Sequence, residues 1–504
     1  MRYLPDGTQM KAADGYTIER VGVPSLVLME RAALKTVEAM HSHGIDLSAA
    51  LIVCGSGNNG GDGFAIARLL AEEGYSAEVF FAGKETSLSE ECRTQKKIVE
   101  NLGIKVGTEY PDGEYTVIID AVFGVGLSRE ITGRYRDVID WMNRKKSRKV
   151  AVDIPSGVCA RTGRVLGTAF CAELTVCMAC VKLGCELYPG REYAGRTEAV
   201  PIGIDTEFFS EDPEVCVTYD RSDIREKLPE RGEDSHKGTY GRVLMITGSS
   251  GMAGAAYLSA KAAYVTGAGL VQIYTHEDNR VVLQELLPEA IISCYREYEE
   301  NRLAELLAWA DTVCIGCGLG TSRTSEKLLD YTLKHVNVPC VVDADGLNLL
   351  SGQMELLKKA GAPVILTPHM KEMSRLTGYP VSEIRERRME ILREFVTAYP
   401  AVCVLKDSRT AVMEKGRHPF LNLAGNSAMA KAGSGDVLSG VITGLRAQGM
   451  NAFESAALGV FLHACGGDAA RDAKGHYSVL ARDLIAGIET CIKDSEEKKY
   501  NETA

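Results

Sequence analysis

Two glycine-rich, acid-bearing segments, each set between an apolar strand and a helix, hold the residues best suited to chemistry. The first is Cys54-Gly55-Ser56-Gly57-Asn58-Asn59-Gly60-Gly61-Asp62-Gly63. The second is Gly425-Asn426-Ser427-Ala428-Met429-Ala430-Lys431-Ala432-Gly433-Ser434-Gly435-Asp436. Glycines leave backbone N–H groups bare, and a helix N-terminus adds positive potential, so each segment suits phosphate. Each also brings carboxylates that can move protons beside that phosphate. Two such segments imply two catalytic domains working on phosphorylated, nucleotide-containing small molecules.

In the N-terminal half the candidates sit at three strand ends. Leu51–Cys54 runs into the first segment, ahead of a helix expected from about Phe64 to Glu73. Thr116–Asp120 leads into Ala121–Leu127, and Val150–Asp153 into Ile154-Pro155-Ser156-Gly157. Ligands bind at the carboxyl edge of open α/β sheets, so Asn58, Asn59, Asp62, Asp120, Asp153 and Ser156 can share one crevice. Asp120 and Ser156, with an Asn carbonyl, form a hard-oxygen set suited to a monovalent or weakly held cation. Asp153 is the better candidate for proton transfer. The plainer alternative is that Asp120 and Asp153 only cap the turns that follow them. Three acids at three strand ends beside such a glycine segment weigh against it.

In the C-terminal half, Gly433-Ser434-Gly435-Asp436-Val437-Leu438 is expected to open a helix and form an anion hole with Asp436 at its mouth. That suits phosphoryl transfer, the N–H groups neutralising the phosphoryl while Asp436 takes the proton of the attacking hydroxyl. The alternative is an N-terminal cap without chemistry. His369, after the strand Val364–Leu366, is expected to meet a ligand. Glu372 either orients a hydrated Mg²⁺ or favours the helix dipole. His463 lies on an apolar helix and reads as a core histidine.

These residues are positioned by βα alternation, the pattern of a parallel sheet covered on both faces. The pattern breaks into charged, irregular sequence around Asp205 to Lys237 and restarts at Arg242. Further strands are expected at Leu270–Tyr274, Thr312–Ile315, Cys340–Asp343, Val364–Thr367 and Val402–Leu405, and a frayed tail from Asp494. The expected fold is α/β: a Rossmann-like three-layer domain over 1–212, a linker over 213–235 and a second αβα domain over 236–494. A length of 504 residues suits two or three cores. The net charge of −11 argues against nucleic-acid binding. The 15 cysteines are odd in number and scattered, which reads as thiols of a reducing cytosol. Cys177/Cys180 and Cys314/Cys317 lie in apolar runs and read as structural. No apolar leader or membrane-length run is visible, so a cytoplasmic protein without membrane partners is expected.

Residues 5–210 resemble the NAD(P)HX epimerase (YjeF N-terminal) family. The resemblance is carried by Gly22-Val23-Pro24-Ser25-Leu26-Val27-Leu28-Met29-Glu30-Arg31-Ala32, the Asn58–Gly63 run, Phe123-Gly124-Val125-Gly126-Leu127 and Asp153-Ile154-Pro155-Ser156-Gly157. It implies that Asn58, Asn59, Gly60, Gly61 and Asp62 hold a hydrated nicotinamide dinucleotide together with Gly124, Val125, Gly126, Leu127, Ser128, Arg129 and Glu130. It also implies K⁺ on Asn59, Asp120 and Ser156, with Asp153 at the hydrated nicotinamide.

The region from about His236 to Ile492 resembles the ADP-dependent NAD(P)HX dehydratase (YjeF C-terminal) family, which has a ribokinase-like fold. The matching stretches include His236–Arg242, Gly248–Ala256, Gly267–Val271, Gly316–Gly320, Asp343–Asn348, Leu366–His369 and the segment ending at Asp436. The resemblance implies that Ala255, Gly318, His369 and Asp436 contact the hydrated dinucleotide. Lys406, Asp407, Ser408, Arg409 and Thr410, with Asn426, Ser427, Ala428, Met429, Ala430, Lys431, Ala432, Gly433, Ser434 and Gly435, would hold ADP with Mg²⁺, ATP being the alternative donor. Two departures stand out: Asp407-Ser408 where the family has Gly-Ala, and Ser427-Ala428 where Pro-Gly is common.

The implied activity is repair. One domain interconverts the R and S hydrates; the other phosphorylates the C6 hydroxyl of the S form and expels it as phosphate, leaving AMP and NADH or NADPH. A homo-oligomer is expected. The rivals are a hydroxymethyl kinase of vitamin type in the C-terminal half and a non-catalytic binding module in the N-terminal half.

Overall fold

The computed structural model describes the backbone of residues 1–503 and side chains to residue 497. The chain forms two compact units, one over Arg2–Cys216, the other from Val217 onward together with Met1.

The first unit is built on a seven-stranded sheet running Val106–Gly107, Ser76–Phe81, Ala49–Cys54, Val117–Ala121, Arg148–Val152, Leu174–Met178, Arg196–Val200. All these strands are parallel. Numbered along the chain the order is 3-2-1-4-5-6-7, with its switch point between Ala49–Cys54 and Val117–Ala121. Side chains alternate along a strand. Ile52, Ile119 and Val152 therefore pack with Ala33, Phe64 and Leu70 on one face. Leu51, Val53 and Ile118 pack with Val138, Ile139 and Met142 on the other. Both faces are buried, which is why these strands read as unbroken apolar runs.

The helix after the first strand spans Asn58–Glu72, so the Asn-Asn-Gly-Gly-Asp run is its opening turn and not a loop ahead of Phe64. Asn and Gly are poor helix formers. Packing overrides this: a Cβ on Gly60 would stand 2.1 Å from the carbonyl oxygen of Gly55, so the turn rests directly on the strand end. Two helices, Gly7–Tyr16 and Ser25–Ser42, precede the sheet. The first is capped by Asp6, which accepts from the N–H groups of Thr8 and Gln9 at 2.8 and 2.9 Å.

The second unit repeats the plan. Its parallel strands run Ile291–Tyr295, Leu270–His276, Arg242–Ile246, Thr312–Ile315, Cys340–Val342, Val364–Leu366, Ala401–Leu405, again 3-2-1-4-5-6-7 along the chain. An antiparallel pair, Ala411–Met413 and Phe420–Leu421, extends the sheet beyond the last of them. The segment expected as an irregular connection contains the strand Cys216–Thr218 and the helix Arg221–Lys227, closed by a reciprocal Asp220/Asp223 capping box over buried Ile224. The tail expected to fray from Asp494 continues the helix Ala481–Thr503, with Cys491 and Ser495 still buried. Among the described residues no helix is long and apolar enough to cross a membrane.

Candidate active sites

At the switch point of the first sheet lies a cavity of about 840 Å³. Asn58, Asn59, Asp62, Gly124 to Arg129 and Asp153 line it, joined by Met10, Lys11 and Asp14 from the first helix and Ser25 and Met29 from the second. Asp153 follows its strand with φ +69°, a conformation uncommon outside glycine, which turns its carboxylate into the cavity. Its Oδ1 accepts the N–H of Met178 at 3.1 Å and pairs with the ammonium of Lys182. Lys182 is fully buried and also donates to the Met178 carbonyl at 2.9 Å. Burial alone would lower the lysine's pKa; the adjacent Asp153 carboxylate outweighs it and holds Lys182 above its ordinary value. Asp62, in the opening turn of the Asn58–Glu72 helix, has no side-chain hydrogen bond or ion pair among the described residues. Burial first, then the nearby Asp153 and Asp14, push its carboxyl well above the usual range.

A second group forms just behind the cavity wall. Asp120 is wholly buried and accepts from the Ser156 hydroxyl at 2.7 Å and from the N–H groups of Ser156 and Val122 at 2.8 and 3.2 Å. All three donors are neutral, and burial raises its pKa to about 6 despite them. The Phe123 N–H donates to the Ser156 hydroxyl at 2.8 Å. Asn59 is buried with its Nδ2 unpartnered, and a Cβ on Gly124 would lie 3.5 Å from its Oδ1.

In the second unit, Asp343 follows Cys340–Val342, the fifth strand, as Asp153 follows the fifth strand of the first. It is 1% exposed. Its Oδ1 takes the ammonium of Lys406 at 2.6 Å and its Oδ2 the hydroxyl of Ser439 at 2.6 Å. Burial would raise the pKa of Asp343, but Lys406 and these hydrogen bonds hold it below the carboxylate range. Asp436 lies in the first turn of the helix Ser434–Ala447, entered through Gly433 at φ +89°, a left-handed backbone that glycine adopts without strain. A Cβ on the neighbouring Gly435 would lie 3.5 Å from the Lys406 ammonium, so the helix opens against the Asp343–Lys406 pair. Burial, reinforced by Asp343, raises Asp436 to about 6.

His369 caps the helix Met370–Thr377 through its ring: Nδ1 accepts the N–H groups of Lys371 and Glu372, both at 3.1 Å. The Glu372 carboxylate reaches back to the His369 N–H at 2.8 Å, and burial raises it to about 7. His463 is buried with Nε2 3.3 Å from the Ser434 hydroxyl, and burial lowers it to about 4, so a neutral imidazole backs the opening of the Asp436 helix.

Of the residues expected to hold the dinucleotide, Gly60 and Gly61 pack against Gly55 and Met29 and do not line the cavity, nor does Glu130. Ala255 and Gly318 meet, a Cβ on Gly318 falling 2.7 Å from that of Ala255. In the expected nucleotide segments Asp407 is bound by the buried guanidinium of Arg388. Thr410 donates to the Asp407 carbonyl at 3.0 Å. The Asn426 amide donates to Gly467 and Asp468 at 3.0 and 2.8 Å and accepts from Ala428 at 3.0 Å, so that side chain is committed to its own loop and the Ala452–Ser478 helix. Lys11, Asp14, Lys182 and the pairing of Asp343 were not legible in advance. The one usable signal was Lys182 itself, a lysine inside the apolar run Cys180-Val181-Lys182-Leu183.

Residues 25–184 match the family described as YjeF-related protein N-terminus, and residues 243–490 that described as NAD(P)H-hydrate dehydratase. The chain is 35% identical to the bifunctional NAD(P)H-hydrate repair enzyme Nnr of Moorella thermoacetica, over 98% of each chain. It is 31% identical to the Escherichia coli protein of the same name, over 96% of this chain and 93% of that one. Among solved structures, the ADP/ATP-dependent NAD(P)H-hydrate dehydratase of Bacillus subtilis, co-crystallised with ATP and Mg²⁺, is similar with a TM-score of 0.50 and 30% identity, over 56% of this chain and 99% of that one. Two units of the same strand order, each with an acid–lysine pair at the carboxyl edge of its sheet, thus follow full-length relatives from end to end, and the chain belongs to the bifunctional NAD(P)H-hydrate repair enzyme family.

Proposed function

We propose that the first unit interconverts the R and S hydrates of NADH and NADPH, and that the second dehydrates the S form by phosphoryl transfer from ADP, releasing AMP and phosphate. The observation that carries this is the opening of the Ser434–Ala447 helix, where an aspartate raised to about 6 stands beside a part-buried lysine. The ring hydroxyl attacks the terminal phosphoryl while Asp436 takes its proton. Lys406 and the first N–H groups of the helix face the charge that builds on the phosphoryl oxygens. Hydroxide is a poor leaving group and phosphate a good one. The C6–O bond then breaks with its electrons on phosphate, and loss of a proton from the adjacent ring carbon restores the dihydronicotinamide.

Glu372 gives one oxygen to the His369 N–H at 2.8 Å, and its other oxygen would orient a hydrated Mg²⁺. Mg²⁺ would arrive with the nucleotide phosphates. Incubating the full chain with both hydrates of NADH tests the whole proposal. Absorbance of the reduced nicotinamide should recover completely with Mg²⁺ and ADP or ATP and not without nucleotide. Recovery stopping at half would remove the epimerase, and a stable phosphorylated hydrate would remove the elimination.

K⁺ fits the Asp120 group, a buried carboxylate met only by neutral donors. Asp120, Ser156 and the Asn59 carbonyl would hold it, and it would supply a fixed positive charge behind the nicotinamide. At about 100 times its dissociation constant a bound ion stabilises by about 2.7 kcal/mol. Replacing Na⁺ by K⁺ should therefore raise the melting temperature of the first unit, and Asp120→Asn should abolish the difference. Equal melting in both salts would remove K⁺ from this site.

A further inference from the structure

Resting on the epimerase reading, we propose that Asp62 is the proton donor of the first unit and Asp153 its acceptor, with Lys182 the positioning residue that keeps Asp153 in its role. Epimerising at C6 needs a proton delivered to a leaving hydroxyl and a proton removed from an incoming water. One carboxyl group cannot be in both states at once, so a protonated and an ionised carboxyl are required over one substrate.

The cavity supplies such a pair. Asp62 and Asp153 both line it, from the opening turn of a helix and from the end of the fifth strand. Their surroundings differ in kind. Asp153 gives Oδ1 to the fully buried Lys182 ammonium and to the Met178 N–H. Asp62 has neither a cation nor a donor. The titratable groups that act on Asp62 are Asp153, Asp14 and Lys182, with the buried thiols of Cys54 and Cys92, while Lys11, Lys84 and Arg129 line the same cavity. Lys182 is the cation that acts on Asp62, and it is already bound to Asp153. Two carboxyl groups sharing one cation separate into an ionised and a protonated member, in agreement with the upward displacement of Asp62.

The steps then balance. Asp62 gives its proton to the C6 hydroxyl; the C6–O bond breaks with its electron pair on oxygen, and water leaves. The ring nitrogen's lone pair closes a C=N bond, giving a planar iminium cation. Water adds to the opposite face through an oxygen lone pair, the C=N pair returns to nitrogen, and the excess proton passes to Asp153. The reverse reaction, or proton return through water in the shared cavity, resets the pair.

The test uses the full chain with purified R hydrate of NADH, no nucleotide, and chromatographic separation of the epimers. Asp62→Asn is expected to slow R-to-S exchange by about 10²–10⁴-fold. Hydrate affinity by equilibrium dialysis should stay within about threefold, and dehydration of the S hydrate with nucleotide should be unchanged. Wild-type exchange should fall at high pH as Asp62 ionises, and that limb should vanish in Asp62→Asn. Lys182→Met should slow exchange with hydrate affinity unchanged, and Lys182→Arg should restore part of the rate, because Asp153 loses the cation that positions it. In H₂¹⁸O the label should enter the hydroxyl at each exchange. Exchange by Asp62→Asn within about threefold of wild type, loss of hydrate binding along with rate, or exchange without ¹⁸O uptake would each overturn the assignment. Absence of exchange in the wild-type chain would instead overturn the epimerase reading beneath it.

Discussion

Asp436→Asn is expected to lower the dehydration rate by about 10²–10⁴-fold while leaving R-to-S exchange untouched. The replacement is isosteric in a half-buried first helical turn, so helix and packing survive. What it removes is the proposed base. Burial and the neighbouring Asp343 hold Asp436 near 6. A base works ionised, so wild-type turnover should fall as pH drops through about 6 and level off above it. The variant's residual rate should lack that acidic limb. The other unit serves as an internal control, since a misfolded preparation would lose both activities. Steady-state rates from pH 5 to 8.5, with hydrate and nucleotide saturating, decide it. A variant that keeps a tenth of wild-type turnover would make Asp436 a binding group.

Lys406→Met is expected to destabilise the second unit by about 3–5 kcal/mol, as removing one partner of a buried ion pair does. Asp343, 1% exposed, would be left with the Ser439 hydroxyl and no cation. The sign of its pH dependence should invert. In the wild type Asp343 is held below the carboxylate range, so its contribution is present at neutral pH and is lost as pH falls through the folded value. Without Lys406 the carboxyl sits above that range, and the variant should gain relative stability on acidification. Calorimetry at pH 5 and 8 separates the two. Adding Asp343→Asn should recover most of the loss, because neither partner is then charged, but should not recover turnover. A Lys406→Met transition within about 1 kcal/mol of wild type at pH 8 would show that the pair is solvated in solution.

Asp120 and Asp153 were legible because a carboxylate set in an apolar run at a strand end has few other places to go, and Asp436 because the glycines before it mark a helix opening. Their partners were not. Lys182 and Lys406 stand 29 and 63 residues from the acids they neutralise, a separation only the closed sheet bridges. Lys11 and Asp14 lie on a short helix whose surface pattern is ordinary, and only packing turns one side of it toward the cavity. The opening turn at Asn58 was hidden for a related reason. Its residues disfavour helix locally, and the contact with Gly55 that overrides them is tertiary. Asn426 shows the converse: a residue type that invites a ligand contact, already consumed by Asp468 and Gly467.

The imidazole of His369 faces two backbone amides with its Nδ1 lone pair, and that fixes its tautomer. The remaining N–H then lies on Nε2, 3.4 Å from the second oxygen of Glu372, so the ring can donate on that side and cannot accept. Taking up a second proton would require surrendering both amides, which ties ring charging to unravelling of the first turn of Met370–Thr377. The ring is thereby a fixed donor and not a proton relay.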